Sequence, residues 1–138
     1  MVSFFNLENM NLEERIKKAE TRQFKAIFPN NVNHYDTLFG GTALSFMDEV
    51  AFITATRFSR QKMVTVSSGK IDFNKPIPAG TIIEIIGSIM KVGTTSVKVK
   101  VEIFIEEMYS DKREKAIEGA FTLVAIDDDK KPTRIMDV

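Results

Sequence analysis

Asp48 sits in the middle of the most apolar stretch of the sequence, Gly41 to Phe58 (GTALSFMDEVAFITATRF). Thr42, Ser45, Asp48, Glu49 and Thr56 make a narrow polar stripe along it. A carboxylate taken out of water without a partner is costly, so a chain that keeps one there has a reason to. The ordinary alternative is that Asp48 pairs with a nearby donor or faces solvent on the polar stripe. Upstream stand Asn33, His34 and Asp36. These are common loop formers, and they are also groups that hold a water or a carbonyl or carry a proton. Gly40-Gly41 either lets the chain turn and pack closely or opens a helix whose free N–H groups hold an anion or oxyanion. Gly93-Thr94-Thr95-Ser96 reads first as a hairpin turn. Its hydroxyls stand next to Lys91 and Lys98, where a phosphate could bind, and Lys75 before Pro76 offers the same chance. Lone lysines are ordinarily solvated surface charges.

Composition removes other chemistries. The 138 residues contain no Cys and one His, which excludes disulfides, thiolate catalysis and Cys-ligated metal sites and leaves no His-rich metal site. Lys+Arg and Asp+Glu are both 19, so bulk charge does not favour nucleic acid. No apolar run reaches the ~18 residues of a membrane span. The first residues (MVSFFNLENMNLEER) lack a basic leader and a small-residue cleavage site, so the expected setting is the cytoplasm.

The elements that must position these residues read as one domain, 1–138, without repeats or linkers. Residues 6–20 are expected to form a short helix or extension, with Asn11 as N-cap and Glu14 as its capping-box partner. Thr21 to Phe28 reads as a strand stopped by Pro29-Asn30-Asn31. Gly41 to Phe58 reads as a helix of about five turns, apolar nearly all round and therefore buried. Strands follow at Met63–Phe73, Thr81–Val92, Thr95–Met108 and Lys115–Ile126. The third alternates cleanly, Val97, Val99, Val101, Ile103 and Ile105 against Lys98, Lys100, Glu102, Phe104 and Glu106. Residues 128–138 read as a loose charged tail. The fold class is therefore α+β: a curved antiparallel sheet wrapped around one long central helix, plus a short N-terminal helix. One sheet cannot cover such a helix on every side, so a second copy of the chain is expected against it.

Four stretches carry a resemblance to the acyl-CoA thioester hydrolases of the hotdog-fold superfamily. Asn33 to Asp48 (NHYDTLFGGTALSFMD) resembles the family's Asn, short loop, Phe-Gly-Gly, six residues and an acid. Val66 to Gly80 (VSSGKIDFNKPIPAG) is similar to its strand leading into an Arg-Pro-(Val/Ile)-x-x-Gly-Asp turn. Lys91 to Val97 (KVGTTSV) resembles its Gly-Asn-Thr-Ser hairpin, and Val124 to Pro132 (VAIDDDKKP) fits its closing segment. The likeness spans roughly residues 15–132, in the order of the elements above. The sequence departs from the pattern with Asp36 in place of a Gly, Lys75 in place of the Arg and Thr81 in place of the Asp. Lys and Arg are not equivalent at a phosphate.

The resemblance implies hydrolysis of acyl-CoA to fatty acid and CoA in a site shared by two subunits. Asp48 from one chain matches the catalytic acid, acting as general base or, alternatively, as nucleophile. Asn33 from the facing chain matches the catalytic Asn, and the Gly41 N–H would polarise the thioester carbonyl. Gly40, Lys75, Lys91, Gly93, Thr94, Thr95 and Ser96 are the candidates for holding the CoA portion. Phe46, Met47 and Phe52 are candidates for lining the acyl chain. No metal and no cofactor are implied, coenzyme A entering only as part of substrate and product; nucleic acid and membrane are not expected partners. A homodimer assembled into a hexamer, a trimer of dimers, is the implied assembly. Two other functions compete: a hotdog dehydratase or hydratase using His34 and Asp48, and a non-catalytic module that binds acyl-CoA or a nucleotide.

Overall fold

The computed structural model describes residues 11–135. Helix α1 spans Leu12–Ala19 and starts where expected, with Asn11 Oδ1 accepting from the Glu14 N–H at 2.8 Å. Residues 6–10 of the expected helix lie outside the described residues. Strand β1 (Thr21–Ala26) follows, stopped two residues earlier than expected before a single 3-10 turn at Pro29–Asn31. Helix α2 occupies Gly40–Ser59. The remaining strands are β2 (Lys62–Ser68), β3 (Asp72–Phe73), β4 (Thr81–Val92), β5 (Ser96–Glu107) and β6 (Arg113–Ile126).

All pairings are antiparallel, in the order β1-β4-β5-β6-β2, with β3 also on β6. The sheet curls around α2, which is the hotdog arrangement with its long central helix and short N-terminal helix. The alternating residues of β5 divide as their chemistry demands: Val97, Val99, Val101, Ile103 and Ile105 are buried and their neighbours look outward. They meet one stripe of α2: Ala43, Met47, Val50, Ala51, Thr54, Ala55 and Phe58. Thr54 satisfies its hydroxyl on the Val50 carbonyl at 2.7 Å and so sits in the core at little cost. Opposite it lies Gly87 of β4, where a Cβ would overlap Thr54 Oγ1 and lie 2.9 Å from Val50 Cγ1. The helix rests directly on the backbone there. α1 is tied to the far end of α2 through Arg57, whose guanidinium donates to the Lys18 and Glu20 carbonyls at 2.9 and 2.8 Å, supplying α1's last turn with donors it lacks.

Three expectations are corrected. α2 is not buried all round: Gly41, Ser45, Asp48, Glu49 and Phe52 are exposed, because one curled sheet covers only one stripe. The expected strand Met63–Phe73 is two strands, β2 and β3. Its ladder with β6 shifts register between Thr65 and Ser67, and Ile71 turns in over Gly119, where a Cβ would overlap its side chain. The expected tail is not loose up to Ile135. Ile126 bridges Pro132, Ile135 N–H donates to Thr94 O at 3.0 Å, and Gln61 Nε2 donates to the Arg134 and Ile135 carbonyls. Ile135 itself is only 2% exposed, so burial of its side chain accounts for the anchoring. Residues 136–138 lie outside the described residues.

The contact at Gly87 sets a test of the packing. Gly87→Val forces a branched side chain against Thr54 and Val50 and is expected to lower unfolding stability by about 1–3 kcal/mol, the usual cost of overpacking. Urea titration of both proteins reads this, and an unchanged midpoint would contradict the close approach of α2 and β4.

Candidate active site

α2 begins without a side-chain cap. Its first N–H to find an acceptor is that of Ala43, on the Phe39 carbonyl at 3.0 Å. The N–H groups of Gly40, Gly41 and Thr42 have no acceptor among the described residues, as the first turn of an uncapped helix dictates. Beyond its own helix, nothing lies within 4 Å of where a Gly41 Cβ would be, whereas the Phe73 ring stands beside Gly40.

Gly41, Leu44, Ser45 and Asp48 recur at helical spacing and form one wall of a cleft of about 480 Å³. Thr65, Val66, Ser67 and Ser68 of β2 and Phe121 of β6 form the other. Asp48 is exposed on this face, contrary to the burial its apolar surroundings suggest. It is not alone: Thr65 Oγ1 donates to Asp48 Oδ1 at 2.7 Å. That bond engages one carboxylate oxygen and leaves the other without a hydrogen-bond partner among the described residues.

Asn33 is held elsewhere. Its Oδ1 accepts from Tyr35 N at 2.9 Å, Thr37 N at 3.3 Å and Thr37 Oγ1 at 3.2 Å, while its own N–H donates to Thr37 O at 2.8 Å. Three donors on Oδ1 determine which way the amide faces and leave Nδ2 as its only unused group, a pure donor. The loop is pinned to the segment before β4 by Leu38 N on Ile77 O at 2.7 Å and Ala79 N on Asp36 O at 3.3 Å. Asp36 adopts a left-handed φ of 62°, where the family pattern has a Gly. Asn33 does not line the Asp48 cleft of its own chain. The His34 ring lies against Tyr35, their centroids 3.9 Å apart, and takes no part in that cleft either.

The candidates for CoA separate into two places. Lys75 pairs with Glu114 at 2.9 Å, and its ammonium, hydrogen-bonded there, holds the Glu114 carboxyl below the ordinary carboxylate range. Lys75 also borders a second cavity of about 300 Å³, together with Leu38, Gly40, Ala43, Phe73 and Ile77. Lys91, Gly93, Thr94, Thr95 and Ser96 lie at the other end of β4, where it turns into β5, and the twelve residues of β4 extend ~35 Å. Their turn is closed by Gly93 N on Ser96 O at 2.7 Å, and the Thr94 and Thr95 carbonyls accept from Ile135 and Ala125. Within one chain the two groups cannot grip one phosphate.

Of the three acyl-lining candidates, Met47 is fully buried in the core, and Phe46 lies under the Lys25 ammonium, 4.7 Å from its ring centroid. Only Phe52 stands on the open face, one turn past Asp48. Thr65 escaped the sequence reading: a hydroxyl in a strand carries no sign of its partner seventeen residues earlier. Among the described residues no group of three or more His, Cys, Asp or Glu comes together to hold a metal.

Comparison with known proteins connects this geometry to a family. The profile of the thioesterase superfamily matches residues 35–111. The uncharacterized acyl-CoA thioester hydrolase YkhA of Bacillus subtilis (strain 168) is 34% identical over 119 residues, which are 86% of this chain and 69% of that one. The acyl-CoA hydrolase of Staphylococcus aureus, solved with butyryl coenzyme A, coenzyme A and coenzyme A disulfide, superposes with a TM-score of 0.83 at 34% identity, covering 86% of this chain and 73% of that one. It has also been solved as alanine variants at an Asn, an Asp and a Thr. A hexameric broad-specificity acyl-coenzyme A thioesterase superposes with a TM-score of 0.75 at 30% identity, covering 83% and 80%. The chain belongs to the thioesterase superfamily, on its acyl-CoA thioester hydrolase branch.

Proposed function

We propose that this protein hydrolyses acyl-CoA thioesters, with Asp48 as general base and each site assembled from two subunits. The observation that carries the reading is the Asp48–Thr65 hydrogen bond in a cleft on the face of α2 that the sheet leaves open. The spacing supports it. In the S. aureus enzyme the Asn and Asp changed to alanine are 15 residues apart and the Asp and Thr 17, the separations of Asn33, Asp48 and Thr65 here.

In this mechanism Asp48, steered by Thr65, takes a proton from water as the water oxygen bonds to the thioester carbonyl carbon. Charge gathers on the carbonyl oxygen, where the Gly41 N–H at the positive end of α2 and the Asn33 Nδ2 donor stabilise it. The C–S bond then breaks and CoA leaves as its thiolate, a leaving group that needs no strong acid. His34 has no role in this scheme, which weighs against a dehydratase.

The two-subunit assembly follows from reach. Gly41 and Asp48 of one chain are ~10 Å apart along α2, and Asn33 lies outside that chain's own Asp48 cleft. Asn33 and the start of α2 from one subunit, with Asp48 and Thr65 from the other, meet the need for convergence on one carbonyl. The surface for such a partner is the open face of α2 beside the free edge of β2, where Phe52, Val64 and Val66 are 46%, 39% and 55% exposed. The hexameric relatives support a further assembly, a trimer of dimers. In it, one CoA would take Lys75 and the Lys91–Ser96 turn from different subunits.

The reading is tested by thiol release from a panel of acyl-CoAs with two to eighteen acyl carbons. Wild type is expected to turn over one or more, and Asp48→Asn to lose at least ~100-fold in kcat, the scale of a removed general base. Absence of thiol release by wild type across the panel would discard the hydrolase. Thr65→Val is expected to lower kcat about 10-fold with KM little changed, as one hydrogen bond to a charged group warrants, and Thr65→Ser to restore most of it. A Ser variant no better than Val would show that Thr65 does not steer Asp48.

A further inference from the structure

We infer that segment 127–135 is a positioning element for the β4–β5 turn, and that Lys98 stands with Lys91 where that turn receives a phosphate of CoA. The inference rests on the hydrolase reading above and deepens it. Lys91 of β4 and Lys98 of β5 are directly opposite each other. A register shift between Ile89 and Lys91 brings this about; the unshifted ladder would set Met90 against Lys98. Like charges so placed repel. Elsewhere on this outer face of the sheet the cations are matched. Lys100 pairs with Glu102 and Glu118, Lys115 with the same two carboxylates, and Arg113 with Glu84 and Glu106. Lys91 and Lys98 have no carboxylate partner among the described residues. Beyond Lys98 the row continues through Thr122 of β6 to Ser67 of β2, two hydroxyls without a hydrogen bond among the described residues. Two ammonium groups brought together and left unmatched suit a ligand that carries its own negative charge, as the phosphates of CoA do.

The turn next to this pair has three carbonyls engaged and its donors free. Ser96 O accepts from Gly93 N–H at 2.7 Å, Thr95 O from Ala125 N–H at 2.9 Å and Thr94 O from Ile135 N–H at 3.0 Å. The N–H groups of Thr94 and Thr95 and the hydroxyls of Thr94, Thr95 and Ser96 have no acceptor among the described residues. Successive free N–H groups are the backbone's half of an anion site. Segment 127–135 sets their direction. The Thr94 carbonyl and the Thr95 N–H belong to one planar trans peptide, so holding the first from one side aims the second to the other. The holding group is itself fixed. Asp127 Oδ1 accepts from Asp129 N–H at 2.9 Å and Lys131 N–H at 3.0 Å, closing the start of the segment. Thr133 N–H donates to Ala125 O at 2.8 Å, so Ala125 bonds to the segment through one backbone group and to the turn through the other. The Ile135 side chain lies in the core, and Gln61 Nε2 donates to the Arg134 and Ile135 carbonyls at 2.9 and 2.6 Å.

The test compares one acyl group carried on CoA and on pantetheine, which lacks the phosphates, in the full-length protein. Lys98→Gln is expected to raise KM for the acyl-CoA about 10-fold with kcat little changed, the scale of a charge-assisted hydrogen bond, and to leave the acyl-pantetheine constants in place. Gln61→Leu and Ile135→Ala change no group at the phosphate or at Asp48. Both are expected to raise the same KM about 3-fold, again for acyl-CoA alone, as a loosened hydrogen bond warrants. Ile135→Ala opens a cavity; should it not fold, Gln61→Leu keeps the buried side chain and reads the same split. Equal losses on both thioesters from Gln61→Leu would show general damage and overturn the positioning role. A KM for acyl-CoA unmoved by Lys98→Gln would overturn the phosphate site, and weaker inhibition of that variant by added inorganic phosphate would then give the two lysines to a free anion instead. Wild type inactive on both thioesters would bring down the hydrolase reading and this inference with it, a result distinct from an active enzyme whose KM ignores all three changes.

Discussion

A helix has a whole circumference to dispose of, and the sheet of one chain can cover only part of it. Here the sheet takes the stripe from Ala43 to Phe58, and Gly87 removes the last side chain between helix and strand. Everything functional is a consequence of the face left over. Gly41, Ser45, Asp48 and Phe52 share it because helical periodicity places them there, and the curl of the sheet brings β2 alongside so that Thr65 can meet Asp48. The same face leaves Phe52, Val64 and Val66 exposed, which is the surface the proposed second copy would cover.

The division of labour between rigid and adaptable parts follows from this. Asp48 stands on a helix packed over its full length and Thr65 on a strand paired to β6. Asn33 stands in a loop, yet three hydrogen bonds to its Oδ1 give it the fixity of a core residue. The groups the proposed mechanism asks to converge are thus each held in place by bonds within the chain, as positioning requires.

Much of the fold was legible in the sequence, for physical reasons. β5 shows the period of two, α2 is long and apolar, and Asn11 announces the start of α1. What was not legible depends on contacts distant in sequence. The break between β2 and β3 exists because Ile71 finds space over Gly119, and the closing segment is anchored by Gln61 and Thr94. The site divides in the same manner. An acid within an apolar helix singled out Asp48, but its exposure reflects what one sheet can cover, and its bond to Thr65 depends on strand geometry. Lys75 and the Lys91–Ser96 turn were both candidates for the CoA portion, and only the fold shows that the length of β4 separates them within one chain.

The central claim is that each site draws Asn33 from one subunit and Asp48 from its neighbour. Co-expression of Asn33→Ala and Asp48→Asn chains under separate tags tests it most directly. Each variant alone should be nearly inactive. Random pairing should give mixed dimers with one intact site, restoring about a quarter of wild-type thiol release per chain, as two-fold symmetry requires. A co-assembled enzyme no more active than its separate parents would contradict a shared site and confine Asn33 and Asp48 to roles within a single subunit.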